Sequence, residues 1–263
     1  MTRLGTLNYI AGLILVAAAI AASGCTDDST NPTSKARTIN GETKPLGNGT
    51  ATTWLKLGDD GNPTAIGITL TEAALAGLPA NIPPPSHEFI FALPQEASAT
   101  AYNHLSLDWN PLGHPPMEMY DMPHFDFHFY MIGQGERDAI TPADTIKGGK
   151  NPGADHIPAG YITPPVLEIV PRMGVHYVDP LSHEFHGHTF DKTFIYGFWD
   201  GNMIFAEPMI TLAYLQSKPS FTEALKLPAK YPKSGLYYAT KYSIRYDEAK
   251  KEYSIALEGL AKR

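Results

Sequence analysis

The sequence predicts a mainly β protein, a single antiparallel barrel or sandwich with a few short helices. Three observations predict it. Some ten short segments rich in β-branched and aromatic residues are separated by Gly, Pro, Asn and Asp turn signals. Helical periodicity is confined to stretches of a turn or two. The third observation is the run from Met122 to Ile132, MPHFDFHFYMI, which has two faces when read with period 2. Phe125, Phe127, Phe129 and Met131 point one way, while His124, Asp126, His128 and Tyr130 point the other. A helix would also place His124 and His128 on one face, but it would scatter the three Phe residues. A pleated, half-buried strand is the better fit.

Taken in order, residues 1–24 have the form of an export signal. Arg3 supplies the positive start, Tyr9 to Ala22 is apolar, and small residues lead to Cys25. The apolar run is too short and too Ala-rich to favour a membrane span. The ending Ala22-Ser23-Gly24-Cys25 resembles a bacterial lipobox, which implies that Cys25 is lipidated and anchors the chain to a membrane of the cell envelope. Cys25 is the only cysteine, so no intramolecular disulfide supports the fold. Residues 25–50 read as a flexible tether, and Asp27-Asp28 resembles the acidic signals that sort some lipoproteins to the surface.

Residues 51–263 are enough for one β domain with its own core. Loss of Arg3 with the signal leaves 19 basic against 27 acidic residues, a net charge of −8. An acidic domain without a basic cluster argues against nucleic acid as a partner.

Within that domain, Thr50–Leu57 and Thr64–Leu70 flank a Gly58-Asp-Asp-Gly-Asn-Pro63 turn and read as a hairpin. Thr69 and Glu72 have capping-box spacing, which predicts a short helix from Thr71 to Ala76. His87–Leu93 and His104–Trp109 read as strands preceding the His-Asp-His strand. From Gly133 to Gly160 the composition predicts a long surface loop, followed by a short strand at Val166–Val170. Thr193–Trp199 and Met203–Pro208, joined through Asp200-Gly201-Asn202, form the clearest hairpin, since Asp-Gly favours tight turns. Thr211–Gln216 and Phe221–Leu227 each suggest one helical turn. Tyr237–Tyr246 and Lys251–Leu257 close the chain as a hairpin. A closed barrel would offer its interior to the His-Asp-His face.

Several phrases together carry a resemblance. They are Asp108-Trp-Asn-Pro-x-Gly-His, Tyr120-Asp-x-Pro-His-Phe-Asp-Phe-His-Phe-Tyr130, Pro171-x-Met-Gly-x-His176-x-x-Asp179, Phe194-Ile-Tyr-Gly and Phe205-x-Glu-Pro-Met-x-Thr211. With them the chain resembles an uncharacterised family of bacterial secreted β proteins, a domain of unknown function, over most of residues 50–260. The resemblance implies a compact β fold in which these polar positions recur, and no reaction.

Chemistry must therefore come from the residues. Of the ten histidines, all but His87 lie between His104 and His188. Burying His, Asp and His on one strand face is costly unless each is hydrogen-bonded or ligating, so a metal site is the leading reading. Residues two apart on a strand are separated by about 6.6 Å and residues four apart by about 13 Å. One ion can thus be shared by His124 and Asp126, or by Asp126 and His128. His176 and Glu207, the latter in an apolar context, complete the predicted pocket. Imidazole and carboxylate without thiolate suit a divalent transition metal, Zn, Fe, Mn or Cu. His114 and Glu118 are weaker candidates in a Pro-rich loop, and His183, His186 and His188 fit a solvated loop. Asp108 and Asp179 are candidates to orient an imidazole. No G-x-S-x-G elbow or phosphate loop is present, so catalytic residues stay unassigned. Two classes of function remain: a metal-dependent oxidoreductase or hydrolase of the envelope, and a non-catalytic lipoprotein that binds a small ligand or forms oligomers under envelope stress.

Overall fold

The computed structural model describes residues 35–81, 87–163 and 168–263. The predicted signal peptide, Cys25 and the start of the tether lie outside the described residues. The strands in chain order are β1 Arg37–Leu46, β2 Gly49–Leu57, β3 Pro63–Thr71, β4 His87–Ala92 and β5 His104–Asn110. There follow β6 His124–Tyr130, β7 Val175–Tyr177, β8 Lys192–Trp199, β9 Asn202–Thr211 and β10 Ser220–Ala224. The last are β11 Tyr237–Tyr238, β12 Lys241–Asp247, β13 Glu252–Glu258 and β14 Ala261–Lys262. Three short helices, α1 Gln134–Asp138, α2 Thr145–Gly148 and α3 Leu212–Gln216, accompany them.

Two six-stranded antiparallel sheets dominate, in the orders β1-β2-β3-β13-β12-β10 and β4-β5-β6-β9-β8-β7. Neither closes on itself, so of the two predicted architectures the sandwich is correct. Leu55, Ile66, Ile68, Ile255 and Leu257 of the first sheet share one core with Leu105, Leu107, Phe125, Phe127, Phe129 and Ile210 of the second. Phe194 meets Tyr242 across the sandwich, with ring centroids 4.8 Å apart. The Phe face of β6 is therefore the core face, as its alternation predicts. Its His-Asp-His face lies on the opposite side of the second sheet, not in a barrel interior.

Several local expectations change. Residues 37–46, expected in the tether, form the edge strand β1. Its Leu46 is buried, and Glu42 accepts a hydrogen bond from the Ala92 amide of β4 at 2.8 Å. The predicted helix at Thr71–Ala76 is a 3₁₀ turn, Glu72–Leu75, without a side-chain cap. Thr71 Oγ1 is engaged instead by the Thr50 amide at 3.0 Å. Phe221–Leu227, expected as a helical turn, supplies the edge strand β10, whose alternate residues can pair with β12. Val166–Val170 falls partly outside the described residues, and Val170 makes only an isolated bridge to Gly174. The Asp200-Gly201 turn takes the expected form, both residues having positive φ, 49° and 76°.

Candidate metal centres

Residues directly opposite on antiparallel strands share a face. Register therefore extends the polar face of β6 across the sheet. Asn110, Asp108 and Ser106 of β5 stand beside His124, Asp126 and His128. On the other flank Asp126 faces Met209, and Glu207 lies two residues further along β9. Beyond β9, Gly197 of β8 pairs with Phe205, and His176 of β7 pairs with Gly197. Loop residues cover this face. Tyr120 and Phe190 pack there with Ile195 and Met209, and Ile140 packs with Tyr130, Ile204 and Phe205. The Tyr120 hydroxyl donates to Glu184 at 3.3 Å, joining the two covering loops.

The face holds two groups of possible ligands: His114, His124 and Asp126, and His128, His176 and Glu207. In the first, Asp126 is central. His124 Nε2 stands 3.2 Å from its Oδ1 and His114 Nε2 stands 3.3 Å from its Oδ2. Asn110 donates its amide to Oδ2 at 2.7 Å. The other nitrogen of each imidazole faces a backbone carbonyl: His124 Nδ1 lies 2.6 Å from Met122 O, and His114 Nδ1 lies 2.7 Å from Pro115 O. A carbonyl only accepts, so each Nδ1 carries a proton and each Nε2 is the atom that faces the carboxylate. His114 is delivered by a loop that folds back on itself. Gly113 has φ of 70°, a Cβ there would sit 2.0 Å from Tyr120 O, and the His114 amide bonds Tyr120 O at 3.0 Å.

In the second group, His128 Nε2 lies 3.2 Å from Glu207 Oε1, and His176 Nε2 lies 3.9 Å from Glu207 Oε2. His128 Nδ1 faces Asp108 Oδ2 at 3.6 Å, and Ser106 Oγ donates to Asp108 Oδ1 at 3.3 Å. Gly197 makes room for this arrangement. A Cβ on it would lie 2.0 Å from the Phe205 ring, which packs edge-on to His128 at 4.9 Å and against His176 at 5.6 Å.

In both groups the carboxylates favour positive charge on a neighbouring imidazole. Burial alone would lower the pKa of His128, but Glu207 and Asp108 outweigh it and push it up to about 9. Burial likewise opposes protonation of His114, but Asp126 and the Pro115 carbonyl push it up to about 9. Burial would raise Asp126, yet His124 and His114 hold it well below the usual carboxylate range. For Asp108 burial wins over His128 and raises it to about 6. His176 is lowered, because burial outweighs the pull of Glu207.

Close approach does not make these contacts hydrogen bonds. Asp126 Oδ1, Asp108 Oδ2, Glu207 Oε2 and both ring nitrogens of His128 are buried with no hydrogen-bond partner. Ligands at about 2.0–2.1 Å around a tetrahedral ion stand about 3.3 Å from one another. The shorter His–carboxylate separations, 3.2 to 3.3 Å, are close to that edge; His114 and His124 approach different oxygens of Asp126, and His176 stands 3.9 Å from Glu207. Donor atoms that converge without bonding one another are what an ion binds between, and the residues fit a divalent transition metal.

The structure thus places all five predicted ligands, His124, Asp126, His128, His176 and Glu207, on one face, but not in one pocket. A strand step of about 6.6 Å separates Asp126 from His128, which divides them between two centres. His114 joins the first centre, although its Pro-rich loop favours a solvated histidine. The missed signal is Gly113, the residue that lets the loop return. Glu118 is exposed, as are His183, His186 and His188. Asp108 stands behind an imidazole as expected, whereas Asp179 does not and instead binds Lys226 at 2.5 Å. Arg137, buried within the segment expected to be a surface loop, pairs with the half-buried Glu88, which Arg172 also approaches at 2.5 Å.

Residues 58–109 match the family described as TTHB210-like, Hypothetical protein TTHB210. This stretch runs from the end of β2 through β5 and includes Asp108, but it stops before β6. Comparison with the curated proteins and with the solved structures finds no match.

Proposed function

We propose that the protein is a lipid-anchored envelope protein whose β sandwich binds divalent transition metal at two His/carboxylate centres and uses it in oxidoreductase or hydrolase chemistry. The observation that carries the metal reading is the set of buried, unpartnered ligand atoms around Asp126 and Glu207. Each group offers three protein donors, two imidazoles and one carboxylate. Such a set leaves a position for water or a small-molecule substrate, as in catalytic zinc and non-haem iron sites. The side chains of His114 and His176 are 28% and 23% exposed, while those of the other four are at most 5% exposed, so each centre meets solvent through one ligand.

Bound metal would act as a Lewis acid or as an electron carrier on a substrate in that position. The protein's own groups fix the ligands: Met122 O, Pro115 O and Asp108 each face the distal ring nitrogen of an imidazole. The deep burial of His124, Asp126 and His128 favours a second reading, in which the ions bind without catalysis and hold the covering loops in place.

Elemental analysis of the purified, tag-free protein tests the proposal. Wild type is expected to carry close to two equivalents of transition metal. His128→Ala and His176→Ala are each expected to lose one equivalent, and His124→Ala and His114→Ala to lose the other. His186→Ala is expected to keep both. Equal metal in His128→Ala and wild type would end the metal reading of the second centre, and no metal in either would end it for both.

A further inference from the structure

A second feature stands on the other sheet, away from the metal centres. The outer face of the first sheet carries a concavity of about 520 Å³ built around Trp54. Trp54 pairs with Gly67 across the β2–β3 ladder, and Gly67 pairs in turn with Ala256 of β13. A Cβ on Gly67 would lie 2.6 Å from Trp54 Cζ2 and 2.9 Å from Cε2. The indole therefore lies across the glycine instead of standing off the sheet, and Trp54 remains half-buried with ring surface left toward solvent. Ala256, next in the same row, adds no bulk that would tip it up.

The surroundings decide what such a plate can bind. Asn40, Thr52, Thr69 and Lys56 border it, and Asp247 and Glu252 close one end. No aliphatic apolar side chain lines the concavity, so it has nothing with which to hold an acyl chain or an amphipathic helix. Its two lysines and two carboxylates cancel, so it is not built for a polyanion. One aromatic plate among hydroxyl, amide and carboxylate groups matches a ligand with an apolar C–H face and a rim of groups that both donate and accept. The negative face of an indole attracts such C–H groups, and mixed hydroxyl and carboxylate partners satisfy ligand hydroxyls.

We propose that this face is a binding site for a neutral saccharide, with a pyranose ring stacked on Trp54. The inference is independent of the metal centres, whose ligands all lie on the second sheet or its covering loops.

Cellohexaose, chitohexaose, maltohexaose and xylohexaose serve as probes, titrated into full-length protein to about 10 mM while tryptophan emission and heat of binding are followed. At least one is expected to bind saturably, with a dissociation constant of about 1 mM or tighter. Trp54→Ala is expected to weaken that binding at least tenfold, and Trp54→Phe to weaken it less. Thr69→Arg lays a long side chain over the concavity without touching the core, and it is expected to block binding even if Trp54→Ala folds poorly. Metal content in Thr69→Arg should equal that of wild type. If wild type binds none of the four probes, or if binding survives both Trp54→Ala and Thr69→Arg, the proposal is overturned.

Discussion

His114 and His128 make the clearest pH-dependent prediction at the residue scale. Their pKa values in the folded, metal-free protein are both pushed up to about 9, from an ordinary 6.5. A histidine raised in this way favours folding fully below its unfolded pKa, and that contribution is lost as pH rises through the folded value. The chelator-treated protein should therefore lose thermal stability between pH 6.5 and about 9. A metal ion supplies the positive charge instead of the protons, so the metal-loaded protein should lose much less over the same window. Melting curves of both forms across that range check it, and parallel pH profiles would mean that no cation replaces the protons. Much of this residue-scale chemistry is legible in the sequence, because strand alternation alone puts His124, Asp126 and His128 on one face. Their division into two centres is not legible. It depends on Gly113 turning a loop back so that His114 reaches Asp126, and on Gly197 leaving room for Phe205 beside His176. Both depend on contacts between residues far apart in the chain.

At the scale of elements, strands that alternate cleanly are found where the sequence puts them: β2, β3, β5, β6, β8, β9, β12 and β13. The edge strands are harder to read. The sequence of β1, RTINGETKPL, is polar because only part of one face meets the protein, and its burial pattern is almost wholly exposed or half-buried until Leu46. Composition alone makes such a segment look like a tether, and β10 resembles a helical turn for the same reason. β1 nevertheless joins the two sheets. It covers the edge of β2, buries Leu46, and engages β4 through Glu42 and through the Lys44 ammonium on Ile90 O. Deleting residues 35–48 should therefore cost at least about 3 kcal/mol, the scale of a lost core Leu alone. For a domain of this size that is a fall in Tm of roughly 6–12 °C. An unchanged melting temperature would return β1 to the tether.

At the scale of the whole molecule, the sandwich has to be reconciled with the N-terminal segment that precedes it. If Cys25 carries lipid, the strand β1 leaves 36 − 25 = 11 residues between the anchor and the folded domain, fewer than the 25-residue tether that composition suggests. The reading of Cys25 rests on an ordered set of features: Arg3, the apolar Tyr9–Ala22 run, and small residues leading to the only cysteine in the chain. A core that requires no disulfide leaves that cysteine without a structural task in the described fold. Among the described residues, no helix is long and apolar enough to cross a membrane. Cells supplied with a labelled fatty acid should mark the wild-type protein in the membrane fraction. Cys25→Ala should carry no label, while the folded domain should keep the melting temperature and metal content of wild type. Label retained by Cys25→Ala would place the acyl chain elsewhere, and an unlabelled wild type in the soluble fraction would remove the lipid anchor altogether. Neither result would alter the two candidate metal centres, whose residues all belong to the domain that begins at β1.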